Sequence, residues 1–285
     1  MFASEHTRLV NRFIGLCKDT IKWPNILHQL GYSVELIEQT INLKNAAKVH
    51  PDIVAFSQKH LHAIVADCKS GKNIDTDQDS RYTKLESDDL KYFITTYDPK
   101  RLKHVVCYVD TDHNHDSLKS FTKLSFVTFG DEVVQGERDF GYDELNKSLC
   151  RPISLNKMLE PTSYYPFSPD DDQSVIAPHI LRGLISYLTH KGQKIRPQIK
   201  SPTTAVEILK IIHPYDIMSS KHKDQLIKTI EDVLQIFLNS NKEFNDQVTK
   251  IEKGEFNIAT FRSLVKICED MIKEFESQKK ITDVF

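Results

Sequence analysis

From Ser4 to Leu30 apolar residues recur at helical spacing: Leu9, Val10, Phe13, Ile14, Leu16 and Cys17, then Ile26, Leu27 and Leu30. Trp23-Pro24 interrupts the run and Gly31 stops it, which predicts one bent helix or two short ones. Three strand-like runs come next, Tyr32 to Ile37, Asp52 to Phe56 and His62 to Lys69. Residues 77–96 read as a helix, His104 to Val109 as a strand, Ser117 to Lys123 as a helix and Ser125 to Val134 as a strand. The order α-β-β-β-α-β predicts an α/β fold with antiparallel strands first and a helical crossover to a further strand. Over residues 151–173 periodicity is lost while Pro, Ser and Asp170-Asp171-Asp172 accumulate, which predicts a linker. Helical stripes over 174–190, 203–213, 221–239 and 259–278 then predict an all-helical region spanning 174–285.

Composition narrows the function classes. With 285 residues and 39% hydrophobic content the chain can bury a core, so disorder is excluded as its main state. Its 38 Lys+Arg against 40 Asp+Glu leave a net charge of −2, so any nucleic-acid site is a local patch. Lys191, Lys194, Arg196 and Lys200 form one small basic cluster in the helical part. No apolar run approaches the ~18–20 residues that span a bilayer, and Met1 to His6 lacks signal-peptide features, so no membrane contact and a cytoplasmic or nuclear location are expected. The five cysteines show neither CxxC nor Cys/His zinc spacing, which predicts reduced thiols, and the histidines are expected to be mostly solvated. No phosphate-binding glycine loop and no Gly-x-Ser-x-Gly elbow is present. Asp110 to Asp116 copies the opening of an EF-hand, but His115 replaces the required Gly and Phe121 the bidentate Glu, so a polar loop is expected there.

The chemistry concentrates in His50-Pro51-Asp52, Asp67-Cys68-Lys69 and Gln78-x-x-x-Tyr82. Residues two apart on a strand share a face, so Asp67 and Lys69 converge while Cys68 points into the opposite layer. A hairpin centred between Lys59 and His60 sets Asp52 across from Asp67. Two facing carboxylates call for a cation between them. With the backbone carbonyl of Cys68 they form a hard oxygen set suited to Mg²⁺, with Mn²⁺ as a substitute, and Lys69 beside them can serve an attacking water or the transition state. Gln78 and Tyr82, four apart, share a helix face.

On these residues the chain resembles the PD-(D/E)XK nuclease superfamily over roughly residues 4–135. Pro51-Asp52 stands for its Pro-Asp on the second strand, Asp67-Cys68-Lys69 for its acid-x-Lys on the third, and Gln78-x-x-x-Tyr82 is similar to the Gln-xxx-Tyr motif of the RecB-like branch. The resemblance implies a restriction-endonuclease-like αβββαβ core in a catalytic domain over 1–150, with Asp52 and Asp67 as metal ligands, Lys69 as the catalytic lysine, and Gln78 and Tyr82 turned toward DNA. An acidic residue on the first helix often adds a ligand in that family, and Glu5 is the candidate here. The expected activity is metal-dependent hydrolysis of DNA, in restriction, phage defence or recombination, with RNA also open. The helical region 174–285 would contact DNA, a second copy or a partner subunit. The alternative is a nuclease fold that no longer cleaves and serves as a DNA-binding or scaffold subunit.

Overall fold

The computed structural model describes residues 3–20, 23–44, 46–71, 75–95, 98–155, 160–191, 198–252 and 255–282. Contacts divide the chain into two compact units, residues 8–164 with 217–219, and residues 1–7, 165–216 and 220–285.

The chain opens with helices α1 (Glu5–Leu16) and α2 (Ile26–Gln29), then strands β1 (Tyr32–Ile37), β2 (Ile41–Asn42), β3 (Lys48–Val49), β4 (Ile53–Ser57) and β5 (His62–Cys68). Helices α3 (Thr76–Tyr82) and α4 (Ser87–Leu90) lead to β6 (Lys103–Thr111), α5 (His115–Phe121), β7 (Ser125–Phe129), β8 (Val133–Glu137), α6 (Asp143–Leu149) and β9 (Ile153–Ser154). Seven strands form one mixed sheet in the order β1-β4-β5-β6-β7-β8-β9, with β2 and β3 as a separate small hairpin. β1, β4 and β5 are mutually antiparallel neighbours, β5, β6 and β7 run parallel, and β8 and β9 return antiparallel. β4 and β5 pair Ile53 with Ala66 through to Ser57 with His62, the register expected for a hairpin centred between Lys59 and His60.

Every residue of β4, β5 and β7 is buried, as near-continuous apolar strands covered on both faces must be. One core layer joins Val54, Phe56 and Val65 of the sheet to Tyr82 of α3, Tyr108 and Phe126. Each large side chain so buried contributes about 1.5–3 kcal/mol, which fixes α3 against the sheet.

Several elements differ from the sequence pattern. In place of the single helix expected over 77–96, the described residues form two short helices, α3 and α4, because Glu86 opens a new one through a capping box in which its N–H donates to the Asp89 carboxylate at 2.9 Å. The expected strand 125–134 splits into β7 and β8 at Gly130, whose N–H donates to the Val133 carbonyl at 2.8 Å and where a Cβ would stand 2.4 Å from Asp112 Oδ2. Residues 151–173, expected as a linker, carry β9 and the fully buried Tyr165 and Phe167. Their acidic run is an anchor: Asp171 accepts hydrogen bonds from Ser4 N–H, the Thr7 hydroxyl and Ser168 N–H at 2.7–2.8 Å.

The other unit holds α7 (Gln173–Lys191), β10 (Gln198–Lys200), α8 (Thr203–Ile212), α9 (Ser220–Ser240), α10 (Lys242–Asp246), β11 (Val248–Glu252), β12 (Glu255–Ile258) and α11 (Phe261–Thr282). It is therefore not all-helical: β10, β12 and β11 form a three-stranded antiparallel sheet. These strands alternate too briefly to stand out beside the helical stripes, with Ile199, Val248 and Ile258 buried while Lys200 pairs with Glu255 at 2.9 Å. Of the basic cluster, Lys200 is spent on that pair, Lys191 ends α7, and Lys194 and Arg196 lie outside the described residues. The five cysteines are free thiols. Among the histidines, His62, His213 and His222 are exceptions to the expected solvation, buried among aromatic rings. Asp110 to Asp116 ends β6 and turns into α5, with Asp110 Oδ1 accepting from Thr111 N–H and Asn114 Nδ2 of its own loop. Among the described residues no helix is long and apolar enough to cross a membrane.

Candidate active site

β5 delivers Asp67 to its C-terminal end, in register with Tyr108 on β6. The parallel ladder continues one residue further through Lys69 N–H, which donates to the Val109 carbonyl at 2.7 Å, so the backbone holds Lys69 as firmly as the strand itself. Cys68 is buried between them on the opposite face, and burial, then Asp52 and Asp67, push its thiol well above the ordinary range. It is thus a packing residue and no nucleophile.

α3 supplies the second wall. Asp75 caps its N-terminus by accepting the Asp77 N–H at 2.9 Å, and Asp77 and Asp79 suit the positive end of the helix. One helical turn then sets Gln78 above Tyr82 on the face toward the sheet. Lys69 Nζ lies 2.5 Å from Asp67 Oδ2 and donates to Gln78 Oε1 at 2.6 Å. Gln78 Nε2 and Tyr82 Oη both donate to Asp67 Oδ1, at 3.1 and 3.0 Å. Asp67, Lys69 and Gln78 therefore close a ring of contacts, and the hydroxyl of the buried Tyr82 braces it from below. Tyr108 floors the cluster, edge-on to Tyr82 at 6.2 Å and 5.5 Å beneath Lys69 Nζ. Burial, with Asp67 beside it, holds the Tyr82 phenol far above its usual range, so it stays a hydrogen-bond donor.

Asp52 stands immediately before β4 and is 7% exposed. Its Oδ2 accepts the Cys68 N–H at 2.5 Å, which ties it to the residue between Asp67 and Lys69. Its backbone carbonyl accepts the Glu38 N–H at 2.8 Å. Glu38 follows β1 with φ 53, a left-handed conformation uncommon outside glycine, asparagine and aspartate. It brings a carboxylate oxygen within 4.8 Å of one on Asp52.

The structure thus joins Asp67, Lys69, Gln78 and Tyr82 directly and holds Asp52 beside them through Cys68. Glu5 is exposed on the first turn of α1. Glu38 and Tyr108 were not anticipated. Tyr108 carried only the apolar alternation of its strand. Glu38 becomes opposite to Asp52 through a bulge between Val34 and Leu36, without which Ile37 would stand there.

Chemically, Asp67 stands beside a lysine amine, and Glu38 and Asp52 bring carboxylate oxygens within 4.8 Å of one another. That donor set fits a hard divalent cation such as Mg²⁺, because close carboxylates of like charge favour a cation among them.

Comparison with known proteins gives a family without an activity. "Uncharacterized protein MJECL32" of Methanocaldococcus jannaschii is 26% identical over an alignment of 260 residues, which covers 82% of this chain and 57% of the relative. The chain thus spans little more than half the length of that curated relative. No solved structure matches it. The MJECL32 domain matches residues 5–165, more than half of the sequence and the whole of the cluster just described, so the chain belongs to the MJECL32 domain family.

Proposed function

We propose that the protein is a metal-dependent nuclease that hydrolyses DNA phosphodiester bonds at the Asp52, Asp67 and Lys69 cluster. The observation that carries this reading is the position of Lys69 Nζ, 2.5 Å from Asp67 and 2.6 Å from Gln78 at the end of β5. A solvated surface pair has no need of a buried tyrosine and a glutamine to orient it. The order α1, β1, β4, β5, α3, β6, with antiparallel strands followed by a parallel one, supports a restriction-endonuclease-like core.

Asp52 and Asp67 would hold Mg²⁺ or Mn²⁺, with the Cys68 carbonyl and Glu38 as further oxygen donors. The ion supplies Lewis acidity at the phosphoryl oxygen and eases ionisation of water. Lys69 orients the attacking water and offsets the charge that gathers on the phosphoryl oxygens. Gln78 and Tyr82 fix Asp67 and Lys69 relative to each other, and the outer edge of Gln78 meets the substrate backbone. Glu5, being exposed, is not placed in the ligand set.

Purified protein incubated with supercoiled plasmid, linear duplex and single-stranded DNA in Mg²⁺, Mn²⁺ or EDTA tests this. Metal-dependent cutting that disappears in Lys69→Ala is expected. Metal affinity by calorimetry without cutting of any DNA or RNA would instead favour a non-cleaving DNA-binding subunit, and the absence of both metal affinity and DNA binding would overturn the reading.

A further inference from the structure

A polar cavity lies at the other end of β5 from the Asp67 cluster, five residues from Asp67 and hence roughly 16 Å along the strand. It has a volume of about 450 Å³, within the range of small-molecule pockets. His60, His62, Lys100, Arg101, Lys103 and Tyr142 line it, with Glu144 as the acidic member.

His62 shows what the cavity lacks. The residue is 1% exposed, and its Nδ1 sits 2.7 Å from the Tyr32 hydroxyl, while its Nε2 is buried without a hydrogen-bond partner among the described residues. That Nε2 lies against Gly141, where a Cβ would stand only 2.6 Å away and where φ is +98, so only glycine fits beside the ring. Burial, together with nearby His104, His60 and Lys103, holds the ring pKa down to about 4, so the imidazole is neutral. When the Tyr32 hydroxyl is the donor to Nδ1, the single ring proton is on Nε2 and requires an acceptor.

Three exposed cations surround this donor. Lys103 pairs with His62 in the β5/β6 ladder, and Lys100 and Arg101 occupy the turn just before β6. A further buried ring nitrogen without a hydrogen-bond partner among the described residues, His60 Nε2, belongs to the same lining, and the His60 ring stacks on Tyr142 at 4.7 Å. Several cations plus a neutral N–H donor suit a group with several anionic oxygens. The volume exceeds that of such a group alone, and the stacked His60 and Tyr142 rings offer a flat wall for a planar base.

We propose that this cavity binds the phosphomonoester of a nucleotide, with the phosphate on Lys100, Arg101, Lys103 and His62 Nε2 and the base along His60 and Tyr142. The phosphomonoester comes either from a free nucleotide or from the 5′ end of a nucleic-acid strand. Nothing in this assignment depends on the nuclease reading.

Calorimetry in EDTA tests it on the full chain, with dAMP, deoxyadenosine, inorganic phosphate and a short oligonucleotide with and without a 5′-phosphate. dAMP should bind, deoxyadenosine should not, and a Lys100→Gln/Arg101→Gln/Lys103→Gln variant, altered only at exposed side chains, should weaken dAMP at least tenfold. Asp67→Asn should leave dAMP affinity unchanged, which separates this site from the proposed active site. A ¹⁵N spectrum should show His62 protonated at Nε2 and shifting on dAMP addition. Tighter binding of the 5′-phosphorylated oligonucleotide than of dAMP identifies a strand end as the source, and equal or weaker binding a free nucleotide. Absence of dAMP binding at millimolar concentration, binding indifferent to the triple variant, or inorganic phosphate binding as tightly as dAMP would each overturn the proposal.

Discussion

Asp52 Oδ2 accepts the backbone N–H of Cys68 at 2.5 Å, so a side chain continues the β4/β5 ladder beyond its last backbone pair, Ile53 with Ala66. A ladder closed by backbone alone would leave no second carboxylate near Asp67 at this end of the sheet. Here the same group satisfies a buried donor and brings a carboxylate oxygen within 4.8 Å of one on Glu38.

The two duties are separable by substitution. Asn keeps an acceptor for the Cys68 N–H but removes the charge, so Asp52→Asn should retain the wild-type melting temperature and lose at least about a hundredfold in cleavage. Asp52→Ala should lose cleavage equally and also destabilise by about 1–3 kcal/mol, because the N–H is left unpaired. Thermal melts beside a plasmid-cutting assay check both. Near-normal cutting by Asp52→Asn would remove Asp52 from the metal site.

Asp67 behaves differently. Two carboxylates facing each other imply that Asp67→Ala relieves repulsion and leaves folding nearly intact. The structure changes that expectation, because Asp67 is 4% exposed and receives Lys69, Gln78 and Tyr82 together. Removing it takes the counter-charge from the amine of Lys69, whose side chain is only 15% exposed, and the acceptor from the buried Tyr82 hydroxyl. Asp67→Ala should therefore cost roughly 2–4 kcal/mol in urea denaturation, and Asp67→Asn much less, with cleavage absent in both. Equal stability of Asp67→Ala and wild type would show that the hydrogen-bond cluster does not form in solution.

Glu38 gives a prediction that the sequence did not contain. Its left-handed backbone tolerates Asn well, so Glu38→Asn should keep the turn into Asp52 while removing the charge. The Mg²⁺ concentration for half-maximal cleavage should rise about tenfold with little change in the saturated rate, as expected for loss of one ligand among several. An unchanged metal dependence would leave Glu38 a purely structural residue.

These cases show what the sequence makes legible. Asp67 and Lys69 share a face through strand alternation, Gln78 and Tyr82 through helical spacing, and the β4/β5 register follows from a turn between two apolar runs. Each depends on a local period. Glu38 depends on one extra residue in β1, which the apolar pattern Tyr32 to Ile37 does not mark, and the strands β10 to β12 are too short to register against long helical stripes. Residues 151–173 look like a linker because their anchors are tertiary: Tyr165 bonds His222 at 2.7 Å, and Asp171 binds Ser4 and Thr7.

The buried histidines predict a stability that fails in mild acid. His213 is 5% exposed, edge-on to Phe167 at 4.6 Å and to Tyr165 at 5.2 Å, with both ring nitrogens lacking a hydrogen-bond partner among the described residues. Burial, with His222 and His179 nearby, pushes its pKa down to about 3, and burial likewise takes His62 down to about 4. An unfolded histidine titrates near pH 6.5, so above that pH neither state is charged and these groups contribute no pH dependence. Below it the unfolded chain takes up protons that the native rings refuse, and each histidine lowers stability by up to about 1.4 kcal/mol per pH unit until its folded pKa is reached. Between pH 7.5 and 5.0 the loss should be about 2 kcal/mol for each, above the range in which the depressed carboxyls of Glu160 and Asp171 titrate. His213→Phe keeps the ring packing and removes the basic nitrogens. Urea unfolding at the two pH values should show the variant losing about 2 kcal/mol less than wild type on acidification, while an identical loss in both would mean that His213 is charged or solvated in the native protein.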